Sequence, residues 1–369
     1  MSVQFSASIS DSFLKEIPLD LGQNPAIMSK KRRREQVSTN AQTIEIFEDL
    51  ANEDEEIRLK AAKALLAISS YEKIPPIDQL NTILRRLVRG LSSGRKAARL
   101  GFSVALTEFL VQLFGPGKGY LGDSFPNVST IIGGLEEQTQ ISGNVSGQVS
   151  RPGHMEYSWR LMQVQEERDH YFGRLFGAEA IIKSSILFES EVDIDQWERI
   201  LNLVYEIAKK KTWLREECGW VLVGSLPSLS KETNGIGYAR ILLEKLHTSA
   251  LAKTPEGVAI WIAASRAFPE VQKPKGVWHH DDPLNRKESS KLALILKEAS
   301  TTESSKDGKP KVAQKGTWTP KVHFAWSIVL STLLETRVAT AASHSKQLTF
   351  ANLWANAVDS TSQRVALLV

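Results

Sequence analysis

Between Leu80 and Phe114, apolar residues recur at intervals of three and four, a period that an α-helix gathers onto one face. Ile83, Leu84, Leu87, Val88 and Leu91 make one such stripe. Gly94 interrupts it, and Leu100, Val104, Leu106, Phe109, Leu110 and Leu113 make a second. Arg85, Arg86 and Arg89 fall on the remaining surface of the first helix, and Arg95, Lys96 and Arg99 open the second. All six cations precede the segment's single acid, Glu108. Positive charge on a rigid helical frame suits a phosphate backbone or an acidic partner. An amphipathic pair whose arginines are merely solvated gives the same pattern, so both readings stay open on these residues alone.

Beyond Thr39 the chain reads as helix after helix. Asn40 can cap a helix over Thr43 to Leu50, and Asp54 one in which Ile57, Ala61, Ala64, Leu65 and Ile68 share a face. Pro75 and Pro76 stop it. Further amphipathic segments are predicted at about 168–189, 194–211, 213–226, 236–250, 255–267, 284–299, 321–338 and 346–358. Alternating strand patterns are almost absent, so the expected class is all-α. A row of similar helices on short turns fits an armadillo or HEAT-like solenoid, with a globular bundle as the rival. The expected organisation is a basic N-terminal arm (1–39), first helical repeats (40–114), a Gly/Ser-rich insertion (115–158), further repeats (159–299), a Lys-rich linker (300–320) and last helices (321–369). Both inserts read as surface loops, and Lys306, Lys309, Lys311 and Lys315 of the second could touch a phosphate backbone.

The net charge of +4 is modest, so nucleic-acid affinity would have to come from how charge is distributed. The single cysteine, Cys218, excludes an internal disulfide framework and fits a buried thiol in a reducing compartment. Neither a signal peptide nor an apolar run long enough to span a bilayer is evident, and no membrane role is expected. Lys30, Lys31, Arg32, Arg33 and Arg34 are consecutive and read as a nuclear import signal, with a nucleic-acid-contacting arm as the alternative. Met28, just before them, reads as a possible true start, with residues 1–27 an extension.

Catalytic chemistry finds little footing. His279, His280, Asp281 and Asp282 carry metal-compatible side chains, but in a turn that includes the N-cap of the next helix, and no metal is assigned to them. The glycine-rich run at Gly115 fails as a phosphate loop: Gln112 stands where the first glycine belongs, Gly119 where the hydroxyl residue belongs, and a helix precedes it. No catalytic residue and no cofactor is assigned. Trp197, Trp220, Trp261 and Trp326 lie at helical spacing among apolar residues and are expected in the core. Trp213 follows Lys209, Lys210 and Lys211 and precedes Arg215; it could plug a helix junction or stack on a base beside those cations.

Five blocks in order carry a family resemblance: Leu80–Phe114, Glu167–Phe188 (ERDHYFGRLFGAEAIIKSSILF), Lys209–Val223 (KKKTWLREECGWVLV), Trp278–Lys287 (WHHDDPLNRK) and Trp318–Leu330 (WTPKVHFAWSIVL). From about Lys31 to about Trp354 the chain resembles the nucleolar family of DNA polymerase phi, yeast DNA polymerase V and Myb-binding protein. The resemblance implies an armadillo-like superhelix in the nucleolus, acting in ribosomal RNA gene transcription and ribosome biogenesis. The partners it implies are ribosomal DNA or precursor rRNA, transcription or ribosome-assembly proteins, and an import receptor. The candidate binding residues are Arg85, Arg86, Arg89, Arg95, Lys96, Arg99, Lys209, Lys210, Lys211 and Arg215. Two alternatives stand beside the scaffold reading: a DNA-directed DNA polymerase, as the family name says, and a peptide-binding nuclear adaptor. A template-directed polymerase needs carboxylates on a rigid platform holding paired metal ions, and no such platform is visible in these residues. Family members continue past this chain's end, so the chain reads as an N-terminal fragment or a truncated gene model.

Overall fold

The computed structural model describes residues 42–68, 76–114, 127–140, 153–189, 192–300, 322–339 and 348–357. Two compact units divide the chain, Met1–Phe47 and Glu48–Val369. Of the first, the described residues are helical and begin α1 (residues 42–49). The second contains α2 (Glu55–Ile68), α3 (Ile77–Leu91), α4 (Lys96–Phe114), α5 (Val128–Gln138), α6 (Gly153–Lys183), α7 (Ile194–Lys210), α8 (Arg215–Leu229), α9 (Gly235–Thr248), α10 (Pro255–Ala267), α11 (Ser289–Ser300), α12 (Phe324–Ala339) and α13 (Phe350–Ala357). Among the described residues there is no strand, and the chain is all-α.

Local chemistry sets many of the starts. Asp54 Oδ1 accepts from the Glu56 amide at 2.8 Å, and Glu55 and Glu56 place negative charge at the positive end of α2. Asp193 caps α7 by accepting from the Asp195 amide. Thr254 caps α10 through the Gly257 amide at 3.1 Å, with Pro255 at the first helical position, where its missing N–H costs nothing. The expected segments at 194–211 and 255–267 therefore appear almost residue for residue.

The stretch expected to be a loop, 115–158, contains α5. Asn127 accepts from the Thr130 amide at 2.8 Å and starts the helix; Ile131, Ile132 and Leu135 bury its inner face. Arg199 of α7 grips Glu136 through two parallel N–H···O bonds, one of 2.9 Å from Nε to Oε1, and this fork fixes α5 against α7. The glycines and serines around the helix conceal this short periodic run from a reading by composition.

Helices pack mainly on their neighbours and second neighbours: α3 on α4, α2 on α4, α4 on α6, α7 on α9, α8 on α10, α10 on α12 and α11 on α13. Close approach of α3 and α4 depends on Gly90, where a Cβ would lie 2.4 Å from the Phe102 ring. α4 is 19 residues long and apolar enough by length and composition to cross a bilayer, contrary to the expectation that no such run exists. Its buried residues, Ala97 through Leu113, pack on α2, α3 and α6, as in a core helix with neighbours on several sides. Leu100, Val104 and Val111 are left as a narrow exposed stripe, so the first two are not on the core face expected of them.

Trp197, Trp261 and Trp326 are buried, and each indole N–H donates to a backbone carbonyl, those of Tyr238, Asp281 and Leu296, at 3.1 Å. Trp220 departs from expectation: it is 61% exposed and forms a T-shaped pair with Phe324, 5.2 Å between ring centroids. The adjoining turn of α8 turns inward through Cys218 and Gly219, because Gly219 packs against Glu256 so tightly that a Cβ there would lie 2.7 Å from Glu256 Cβ. Burial pushes the Cys218 thiol well above its ordinary range, which makes it inert.

Candidate nucleic-acid interface

The site is built at the corner between α3 and α4. Leu80, Ile83, Leu87, Val88 and Leu91 turn inward, which leaves Arg85, Arg86 and Arg89 exposed on the opposite side of α3. Across the short turn, Arg95 and Lys96 are also exposed. Arg85, Arg89, Arg95 and Lys96 make no ion pair among the described residues. Their charge therefore remains available to a ligand.

Arg99 is different. Expected on the outward face with Arg95 and Lys96, it is instead 8% exposed. Its guanidinium donates to the Ser93 carbonyl at 2.6 Å, lies 3.6 Å from Asp169 of α6, and sits 4.3 Å from the centroid of the Phe172 ring. Burial lowers the Arg99 pKa; Asp169 opposes this and Arg168 adds to it. An arginine stays charged nonetheless, and Arg99 serves as an internal tie between α4 and α6.

That tie leads to the second cluster. Phe172 and Trp213 meet in a T-shaped pair, 5.4 Å between ring centroids, and Arg168 lies over both rings, 5.6 Å from Phe172 and 5.5 Å from Trp213. The α3–α4 corner and the lysine-rich α7–α8 junction, far apart in sequence, are thus connected through one turn of α6. Lys209 and Lys210 are exposed at the end of α7, Lys210 paired with Glu206 at 3.2 Å. Lys211 reaches Glu167 at 2.8 Å and covers the Tyr171 ring at 4.8 Å. Arg215 donates from Nε to the Ala208 carbonyl at 3.1 Å, closing the last turn of α7. Of this second cluster, Lys209 presents its charge most openly; Lys211 and Arg215 are occupied in holding the junction.

Arg168, Asp169 and Phe172 were not among the expected site residues. Their signal was an acid-base pair and an aromatic residue at i, i+1 and i+4, one helical turn, but nothing in sequence shows that Asp169 meets Arg99 seventy residues earlier.

The histidine-aspartate turn is folded for structure. His279–Asp281 form a single 3-10 turn in which His280 and Asp281 adopt positive φ. Asp282 Oδ1 accepts from the Leu284 amide at 2.9 Å, and Asn285, not an aspartate, accepts from the Lys287 amide ahead of α11. Among the described residues, no group of three or more His, Cys, Asp and Glu side chains could hold a metal ion. Lys30–Arg34, the run at Gly115 and Lys306, Lys309, Lys311 and Lys315 lie outside the described residues.

Comparison with known proteins gives one family and a consistent set of relatives. The profile of the family described as DNA polymerase phi matches residues 82–364. The chain is 30% identical over 292 residues to the rDNA transcriptional regulator pol5 of Schizosaccharomyces pombe, covering 78% of this chain and 26% of that protein. It is 28% identical over 303 residues to the rDNA transcriptional regulator POL5 of Saccharomyces cerevisiae, covering 78% of this chain and 28% of that protein. It is also 28% identical over 240 residues to a Myb-binding protein 1A-like protein of Danio rerio, covering 64% of this chain and 16% of that protein. The chain thus spans about a quarter of the length of its two yeast relatives. No solved structure matches it.

Proposed function

The chain belongs to the DNA polymerase phi family, and on that premise we propose that it is a non-catalytic nuclear scaffold that regulates transcription of ribosomal RNA genes in the nucleolus. The names of its yeast relatives support the transcriptional role, and the Myb-binding name of the fish relative supports protein partners in the same process. Ribosomal DNA or precursor rRNA is the nucleic-acid partner, and the run Lys30–Arg34 engages an import receptor. The observation that carries this reading is the α3–α4 corner, where Arg85, Arg89, Arg95 and Lys96 stand exposed without an ion pair among the described residues. Charges that are not neutralised within the fold attract a polyanion and release its counterions on contact.

The helices are inferred to stack as an armadillo-like superhelix. Second-neighbour packing such as α2 on α4, α8 on α10 and α10 on α12 is what a stack of two-helix units produces, because each unit meets only the next. The role is read as scaffolding because the yeast relatives are named as transcriptional regulators.

Crosslinking and sequencing of nucleic acid bound to the tagged chain in cells tests the reading. Enrichment of ribosomal DNA or precursor rRNA, lost when Arg85, Arg89, Arg95 and Lys96 are changed to glutamate, is the expected result. No enrichment with the unchanged chain overturns it.

A further inference from the structure

Trp213 is the residue that the scaffold reading leaves unexplained. It lies in a single 3-10 turn, Thr212–Leu214, whose Leu214 is buried and anchors the turn. Trp197 and Trp261 are sealed in the core, yet Trp213 stays 46% exposed. Its ring contacts Phe172, and Phe172 in turn rests on the buried Arg99. The exposed Arg168 lies over Trp213, its guanidinium carbon 5.5 Å from the ring centroid, within cation–π range. The result is an exposed aromatic ring braced by Phe172, with a cation above it.

We propose that this face binds an unpaired base of single-stranded nucleic acid, which stacks on Trp213 beside Arg168 while neighbouring phosphates meet Arg95 and Lys96 on one flank and Lys209 on the other. This deepens the proposed function and rests on it. A flat π-surface accepts any base by stacking, and a guanidinium adds cation–π attraction to the same base. A duplex keeps its bases inside the stack and offers Trp213 no ring face. The charge around the platform favours a polyanion over an apolar protein partner. Lys211 neutralises Glu167 and Arg99 neutralises Asp169, so the nearest carboxylates of α6 are occupied. Glu166 and Glu217 are the exposed acids that remain close by in sequence.

Fluorescence anisotropy on the whole 369-residue chain tests this, with labelled single-stranded RNA, single-stranded DNA of the same sequence, and the corresponding DNA duplex. Single strands are expected to bind more tightly than duplex and to quench tryptophan fluorescence. Trp213→Ala is expected to weaken single-strand binding by between about 5-fold and about 100-fold and to leave duplex binding unchanged. Trp213→Phe, which keeps a ring against Phe172, gives a smaller loss, and circular dichroism of each variant checks that the helices persist. Arg168→Ala weakens single-strand binding in the same direction. Tighter binding of RNA than DNA identifies RNA as the ligand, and equal binding identifies any single strand; both uphold the proposal. Duplex bound as tightly as single strand, with no effect of Trp213→Ala, overturns the stacking while leaving the basic corner as a nucleic-acid contact. Binding of none of the three overturns both.

Discussion

Arg99, in the first turn of α4, holds Asp169 of α6 at 3.6 Å with both side chains about nine-tenths buried, and so converts an apparent surface cation into a structural tie. Removing one partner of such a pair leaves the other charged in a poorly hydrated place, which costs far more than the pair itself contributes. Arg99→Ala is therefore expected to destabilise the fold by about 3–5 kcal/mol. Arg95→Ala, four residues away and exposed, is expected to change stability by less than about 0.5 kcal/mol. Urea denaturation followed by circular dichroism distinguishes the two. If both variants unfold at the same urea concentration as the parent, Arg99 is not a tie.

Two helical glycines give opposite predictions for the same substitution. A Cβ at Gly101 would stand 2.0 Å from the Leu50 carbonyl oxygen, a backbone atom that cannot step aside. At Gly134, on α5, nothing lies within 4 Å of the added carbon. Gly101→Ala is expected to lose at least about 1–3 kcal/mol through overpacking. Gly134→Ala is expected to gain about 0.5–1 kcal/mol, since alanine gives up less backbone freedom on entering a helix. Melting temperatures moving in opposite directions is the result to look for.

How much of this could be read beforehand depended on the range of the interaction concerned. Helix periodicity is local, so α7 and α10 were legible in their apolar spacing and α3 in its stripe of Ile83, Leu87 and Val88. The exposure of Arg85 and Arg89 followed from that stripe. Burial of Arg99 did not, because it depends on Asp169 and Phe172 arriving from α6. The exposure of Trp220 was hidden for a related reason: seven residues from Trp213 in a largely apolar helix, it looks like core until Gly219 and Cys218 take the inner face. α5 is hidden in the sequence because its inward residues, Ile131, Ile132 and Leu135, make too short a run to stand out among glycines.

The buried pair of His323 and Glu256 is expected to make the fold sensitive to acid. Nε2 of His323 and Oε1 of Glu256 are 3.3 Å apart, and both residues are buried. Burial, the largest influence, raises the Glu256 carboxyl, but the His323 bond, the backbone amide at the start of α10, the charge of His323 and the Thr254 bond together hold it below its ordinary value. A carboxyl depressed in the folded state contributes stability that is present above its unfolded value, near pH 4.3, and is lost as pH falls through the folded value. Glu256→Gln is expected to lower stability at neutral pH and to flatten its decline below about pH 4.3. Thermal melts across that range check this; an equally steep acid limb in the variant would assign the sensitivity to other carboxylates.

Salt dependence separates phosphate contact from base contact within the proposed interface. Each phosphate neutralised by a cation releases counterions, so the logarithm of affinity falls with the logarithm of salt concentration by about 0.7 per contact for a single strand. Arg89→Ala removes one exposed cation from the α3–α4 corner without touching the Trp213 platform. That variant is expected to bind less tightly and with a slope shallower by about 0.7. Trp213→Ala removes a stacking surface but no charge, so its affinity drops while its slope stays that of the parent. Anisotropy titrations at several salt concentrations measure both quantities. A change of slope in Trp213→Ala, or none in Arg89→Ala, would show that the division of labour between the corner and the platform is not the one drawn from their geometry.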